Sequence, residues 1–190
     1  MSTRLHRFSY ADLERIPEGA DRLRRELFDG ELVVTPSPNR AHQTLATRLT
    51  APLWRHASER ALGEVWTAPL DVVFDRENVY VPDLLFVSHA RRAAVAEAHL
   101  VAAPDVVVEI LSSSTRTRDL TRKKDLYARF GVPHYWVFDP RERTFATFER
   151  DAAGAFVSRI SAEAPAIVSA APFADLPLDL AALFAPPFGG

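Results

Sequence analysis

The chain has 190 residues, no cysteine and a formal net charge of −2, with 47% hydrophobic and 25% charged side chains. That composition suits one globular domain with a sizeable core, and it excludes disulfides, thiolate catalysis, zinc–thiolate centres and iron–sulfur clusters. Any metal must sit on carboxylates or histidines, and nucleic-acid contact would need a local basic patch, because the whole chain supplies no positive field.

No apolar run is long enough to cross a bilayer, and the opening MSTRLHRFSYADLERI lacks the apolar stretch of a secretory signal, so a cytoplasmic protein without membrane contact is expected. Residues 9 to 16 have the pattern of a short amphipathic helix with Ser9 as N-cap. RLRRELFDGELVV reads as two strands around Asp29-Gly30, a strong hairpin signal. After the breaker TPSPN, the segment RAHQTLATRLTAPLWRHASERAL is helical by period, with Leu45, Leu49 and Leu53 four apart, and Pro52 should kink or divide it. EVWTAPLDVVFD and VYVPDLLFVS form an expected second strand pair, joined by a turn near Arg76-Glu77-Asn78. DVVVEILS suits a central strand buried on both faces. A helix over 119–130 follows, stopped by Gly131 and Pro133, and HYWVFDP opens the next strand. The rest offers further strands and a short helix near 178–184. The order predicts an α/β fold, a mixed β-sheet flanked by helices, in a single domain spanning residues 1–190.

Three charges stand in apolar rows. Alternation in VYVPDLLFV puts Asp83 on one face with Leu85 and Val87, and Glu109 interrupts the central strand. Such carboxylates need a cation, because an unpaired buried charge costs several kcal/mol. The helix supplies one. All but two of the 23 basic residues are arginine, and the two lysines are the neighbours Lys123 and Lys124. Lysine is needed over arginine where a compact ammonium acts as a point charge. On a helical wheel Lys123 falls within the stripe of Leu120, Leu126, Tyr127 and Phe130, whereas Lys124 lies about 100° away at its edge, as a solvated or phosphate-facing charge. Asp83, Glu109 and Lys123 can therefore converge at the C-terminal end of the sheet, where sites of open α/β folds gather. Two carboxylates and an ammonium suit metal-assisted phosphodiester cleavage; the alternative is a buried Asp–Lys–Glu salt bridge that fixes sheet to helix.

ELFDGELVVTPSPNRAHQ, PLDVVF, VPDLLFV and PDVVVEILSSSTRTRDLTRKKDLYARFGVPHYWVFDP, in that order, resemble the Uma-two family of restriction-endonuclease-like proteins within the PD-(D/E)XK nuclease superfamily. The resemblance runs over roughly residues 8 to 175 and implies a restriction-endonuclease-like fold and a Mg²⁺-dependent endonuclease acting on DNA, with Mn²⁺ as a substitute ion. It places the superfamily's "PD" on Pro82-Asp83 and its acidic residue on Glu109, both as metal ligands. The superfamily's lysine position, two residues on, is Leu111 here; the family's Asp, Lys and Tyr spaced by four match Asp119, Lys123 and Tyr127, which gives Lys123 the catalytic role. Ser113 and His134 stand where the family often has proline and glutamate. Glu31 and His42 lie in the family's GE and HQ positions, which makes Glu31 a candidate metal-assisting acid and His42 a candidate substrate contact. Read from the residues alone, these two are a hairpin charge and a packing histidine. Arg116, Arg118 and Lys124 are candidate substrate contacts, with Arg122 and Arg129 nearby. Asp71 and Asp139 read as strand-edge caps. A homodimer would suit cleavage of two antiparallel strands. The alternative is a nuclease-like fold that binds nucleic acid or protein and keeps the charges as a salt-bridge network, a reading the net charge favours.

Overall fold

A computed structural model describes residues 7–16 and 23–187. Ser9 and Asp12 form a capping box on α1 (Tyr10–Leu13). The hairpin follows as β1 (Arg24–Phe28) and β2 (Glu31–Thr35), fully antiparallel. Its turn residues Asp29 and Gly30 both have positive φ, 48° and 78°, the backbone that a two-residue turn needs to match strand twist.

α2 (Arg40–Glu59) starts at Asn39, whose side chain accepts the His42 N–H. It runs unbroken across Pro52, so of the expected kink or division the division does not occur. Proline removes only the bond to the Arg48 carbonyl, while the buried leucines Leu45, Leu49 and Leu53 hold the helix down on both sides of it.

The next two segments do not form one simple pair. Each bends from one sheet into another: β3 (Gly63–Thr67) pairs with β6 (Leu84–Ser88), while β4 (Asp71–Asp75) pairs with β5 (Asn78–Tyr80). Prolines 69 and 82 stand at the two bends, where a missing N–H breaks no ladder. A 3₁₀ turn (His89–Ala94) and the two-residue β7 (His99–Leu100) lead to β8 (Val106–Ile110), which is buried throughout. α3 then combines Arg116–Arg118, a π-helical turn at Asp119–Lys123 and Lys124–Arg129, so it begins three residues earlier than its apolar period suggested. The strands β9 (His134–Asp139), β10 (Thr144–Arg150), β11 (Phe156–Glu163), β12 (Ile167–Ala170) and β13 (Phe173–Asp179) follow, and α4 (Leu180–Leu183) comes last.

Three sheets result, in the orders β2-β1-β5-β4-β7, β11-β10-β9-β8-β6-β3 and β12-β13. The six-stranded sheet is antiparallel except at β8–β9, the pair joined through α3. Alternation on β8 sets the layers: Val106, Val108 and Ile110 pack with the α2 leucines, whereas Val107 and Leu111 pack with Leu126 and Tyr127 of α3 and with Phe28 and Tyr80 of the five-stranded sheet. Glu109 therefore faces α3. Each such side chain contributes about 1.5–3 kcal/mol by leaving water, so the strand cannot slip without exposing a core face. No helix among the described residues is long and apolar enough to cross a membrane.

Pro52→Ala should restore the Arg48 hydrogen bond and raise the unfolding free energy by about 2 kcal/mol. Urea denaturation measures it; an unchanged or lower midpoint would show that the proline ring's packing outweighs the missing bond.

Candidate active site

Three elements bring the charges together. Asp83 precedes β6, where β6–β8 pairing stops at Leu84–Val108. Beyond that pair the Ile110 N–H donates to Asp83 Oδ2 at 2.8 Å. The same oxygen lies 3.0 Å from His42 Nε2, and Arg24 Nη2 donates to Oδ1 at 2.7 Å. Burial alone would push this carboxyl up, but the His42 hydrogen bond, the Arg24 charge and the Ile110 N–H outweigh it and hold Asp83 well below the usual carboxylate range.

Glu109 lies on the α3 side of β8 and is 1% exposed. Its Oε1 accepts from Lys123 Nζ at 2.8 Å and from the Tyr127 hydroxyl at 2.7 Å. Lys123 is equally buried and reaches a second carboxylate, Glu26 Oε1, at 2.9 Å, with Asp119 Oδ1 at 3.8 Å. Glu26 in turn accepts the Val81 N–H. Burial opposes the Lys123 charge, yet Glu109, Glu26 and Asp119 hold its pKa above the ordinary value. Burial, offset in part by Lys123 and reinforced by Asp119, Asp83 and Glu26, pushes Glu109 up to about 8. Asp119 is raised for the same first reason. Four buried carboxylates thus face three permanent cations: Arg24, Lys123 and Arg118, whose Nη2 is 3.7 Å from Glu26 Oε2. The acids outnumber the cations by one, and Glu109 meets the difference by keeping its proton at neutral pH.

Asp83, Glu109 and Asp119 line a recess of about 120 Å³ between the α2 N-terminus and the turn Ser112–Thr115. Two of these carboxylates, Asp83 and Glu109, are oxygen donors of the kind a hard divalent cation takes. Among the described residues Asp83 Oδ1 accepts one hydrogen bond, and no donor lies on Glu109 Oε2. Among those residues no group of three His, Asp or Glu side chains surrounds an ion position. Two carboxylates match Mg²⁺, which keeps waters and substrate oxygens in its remaining positions.

The structure brings Asp83, Glu109, Lys123 and His42 together. It sets Glu31 apart: that side chain is 63% exposed and paired with Arg122 at 2.6 Å. The acid that reaches Lys123 from the hairpin is Glu26. Lys124 is half-buried with its Nζ 3.8 Å from the centre of the Phe148 ring, and it does not line the recess. Arg116 is bonded to Asp139, Arg118 donates to Thr35, and Arg129 pairs with Asp29, so the arginines of α3 are committed to protein partners. Arg24 and Glu26 escaped the reading of the sequence. Their signal was present in RRELF, where Arg24 and Glu26 share a strand face with the buried Phe28.

Because the folded-state pKa of Glu109 lies above its unfolded value, folding takes up a proton between the two. Its contribution to stability is complete below about pH 4.3 and is lost as pH rises through about 8. In chelator, wild-type stability should therefore fall from pH 5 to pH 8, and Glu109→Gln should flatten that slope. Parallel slopes for the two proteins in urea titrations would contradict this assignment.

No curated protein matches the chain. A solved structure from Anabaena variabilis ATCC 29413, described as "a putative nuclease belonging to DUF820", is 19% identical and aligns over 93% of this chain and 97% of its own with a TM-score of 0.74, which shows a shared fold. The type IIG restriction endonuclease BpuSI is 14% identical and aligns over 67% of this chain but 14% of its own, with a TM-score of 0.39. The fold is a mixed α/β one, shared with the Anabaena variabilis structure. The family model described as "Uma2: Putative restriction endonuclease" matches residues 10–181, and the chain belongs to that family.

Proposed function

We propose that the protein is a metal-dependent nuclease hydrolysing phosphodiester bonds of nucleic acid, DNA foremost. One observation carries the reading: Asp83, just before β6, and Glu109, on the adjacent β8, line one recess beside a fully buried ammonium. Asp83 and Glu109 would hold Mg²⁺, with Mn²⁺ as substitute. When bound, the ion supplies Lewis-acid polarisation of a phosphate oxygen and a lowered pKa for attacking water.

The chain's own residues do the rest. Arg24, His42 and the Ile110 N–H fix both Asp83 oxygens, so the carboxylate keeps its orientation without reorganising. Tyr127 and Lys123 pin Glu109 Oε1, so that Oε2 would be the oxygen to take the ion. Lys123 stays an ammonium and offsets charge that develops on the phosphate. His42, held on Asp83, borders the substrate's path. Arg118 touches the site through Glu26, whereas Arg116, Lys124 and Glu31 lie outside the recess.

A binding module is the second reading, favoured by one specific feature. Every oxygen of Asp83 has a protein partner and each α3 arginine is committed, as in a closed structural network. Incubation of the purified chain with single-stranded DNA, plasmid and RNA, in Mg²⁺, Mn²⁺ or chelator, separates the two. Metal-dependent cleavage that Asp83→Asn lowers by at least about 100-fold while the protein stays folded is the expected result. Absence of cleavage on all three substrates would sink the nuclease reading.

A further inference from the structure

We propose that the substrate enters as an unpaired strand, and that Trp54 is the platform on which one of its bases stacks. This deepens the nuclease reading and rests on it for the identity of the reacting groups. Asp83, Glu109 and Lys123 are 4%, 1% and 1% exposed. A duplex carries its phosphates on the outside of a rod whose major groove alone is about 12 Å wide. Bringing one of them to these carboxylates means entering a recess of about 120 Å³. A single strand, or one extruded from a duplex, can reach that depth.

The path to it is present. A larger cleft of about 970 Å³ opens between α1 and α2 and shares Arg24, Pro36, Pro38, His42 and Asp83 with the recess. α2 forms one wall, from His42 beside Asp83 to Trp54, about 18 Å along the helix at 1.5 Å per residue. Between them the helix presents Ala46, Thr50 and Ala51, side chains small enough to leave the cleft open. Trp54 stands at the far end with 54% of its surface exposed. An aromatic face at the end of a cleft offers any base a stacking partner, whatever the sequence.

Charge points the same way. Duplex binding draws its affinity from free Lys and Arg on phosphates, but Arg116, Arg118, Arg122 and Arg129 are already bonded to protein groups. Glu14, Asp71 and Asp83 on the cleft's lining outnumber Arg24 and Arg25, so the cleft offers no net positive field to hold a rod by its phosphates. A stacked base is neutral where it touches the protein.

Fluorescence anisotropy on the full chain in chelator tests this, with a labelled single strand of about 12 nucleotides and a hairpin-closed duplex of equal length. The single strand should bind at least about tenfold tighter. Trp54→Ala should weaken it at least about fivefold, with Trp54→Phe restoring most of the loss. Equal or tighter duplex binding, no binding of either probe, or indifference to Trp54→Ala overturns the inference. A second arm adds Mn²⁺. Duplex cut as fast as single strand overturns this inference and leaves the nuclease reading standing. Tight, Trp54-dependent single-strand binding without any cutting supports the cleft's ligand and removes the nuclease reading instead.

Discussion

The fold is arranged around one ammonium. Lys123 lies within hydrogen-bond distance of Glu26 and Glu109, carboxylates from the five-stranded and six-stranded sheets, and a third from Asp119 stands one helical step back. Removing it would leave those carboxylates buried with too little positive charge, at a cost of about 3–5 kcal/mol. Both sheets and α3 are therefore placed by the same contact. A well-packed apolar trio of similar volume would join the sheets at least as firmly, so stability alone gives the chain no reason to keep four acids and three cations in its interior.

The surplus of acid is what links structure to chemistry. Glu109 is pushed up to about 8, while Asp83, a short distance away, is held low by three donors. Two carboxylates pushed in opposite directions by their surroundings are a recurrent property of reactive sites. A divalent cation would supply the positive charge that allows Glu109 to ionise. The π-helical turn at Asp119–Lys123 belongs to the same arrangement, because such turns often mark functional positions in helices.

Periodicity and charge placement made much of this legible. The alternation of β8, the helical stripe containing Lys123 and the Asp29-Gly30 turn are local patterns, and each corresponds to an observed element. The inward direction of Lys123 and the outer position of Lys124 followed from the helical wheel alone. What the sequence concealed depends on distant packing. Glu26 and Arg24 are charged residues in a short strand that looks amphipathic, and only the stacking of two sheets buries them. The α3 arginines suggested a basic face because their partners Asp29, Glu31, Thr35 and Asp139 lie far away in the chain. The bends at prolines 69 and 82 were hidden for the same reason, since a strand that changes sheets keeps its alternation on either side of the break.

The central claim is that Asp83 and Glu109 share a divalent cation rather than serving only as anchors for Arg24 and Lys123. Titration calorimetry with Mn²⁺, in the absence of nucleic acid, addresses it most directly. The account predicts a saturable site on the wild-type protein that is lost in Asp83→Ala and in Glu109→Gln, with circular dichroism confirming that both variants remain folded. Equal Mn²⁺ binding by all three proteins, or none by the wild type, would contradict it.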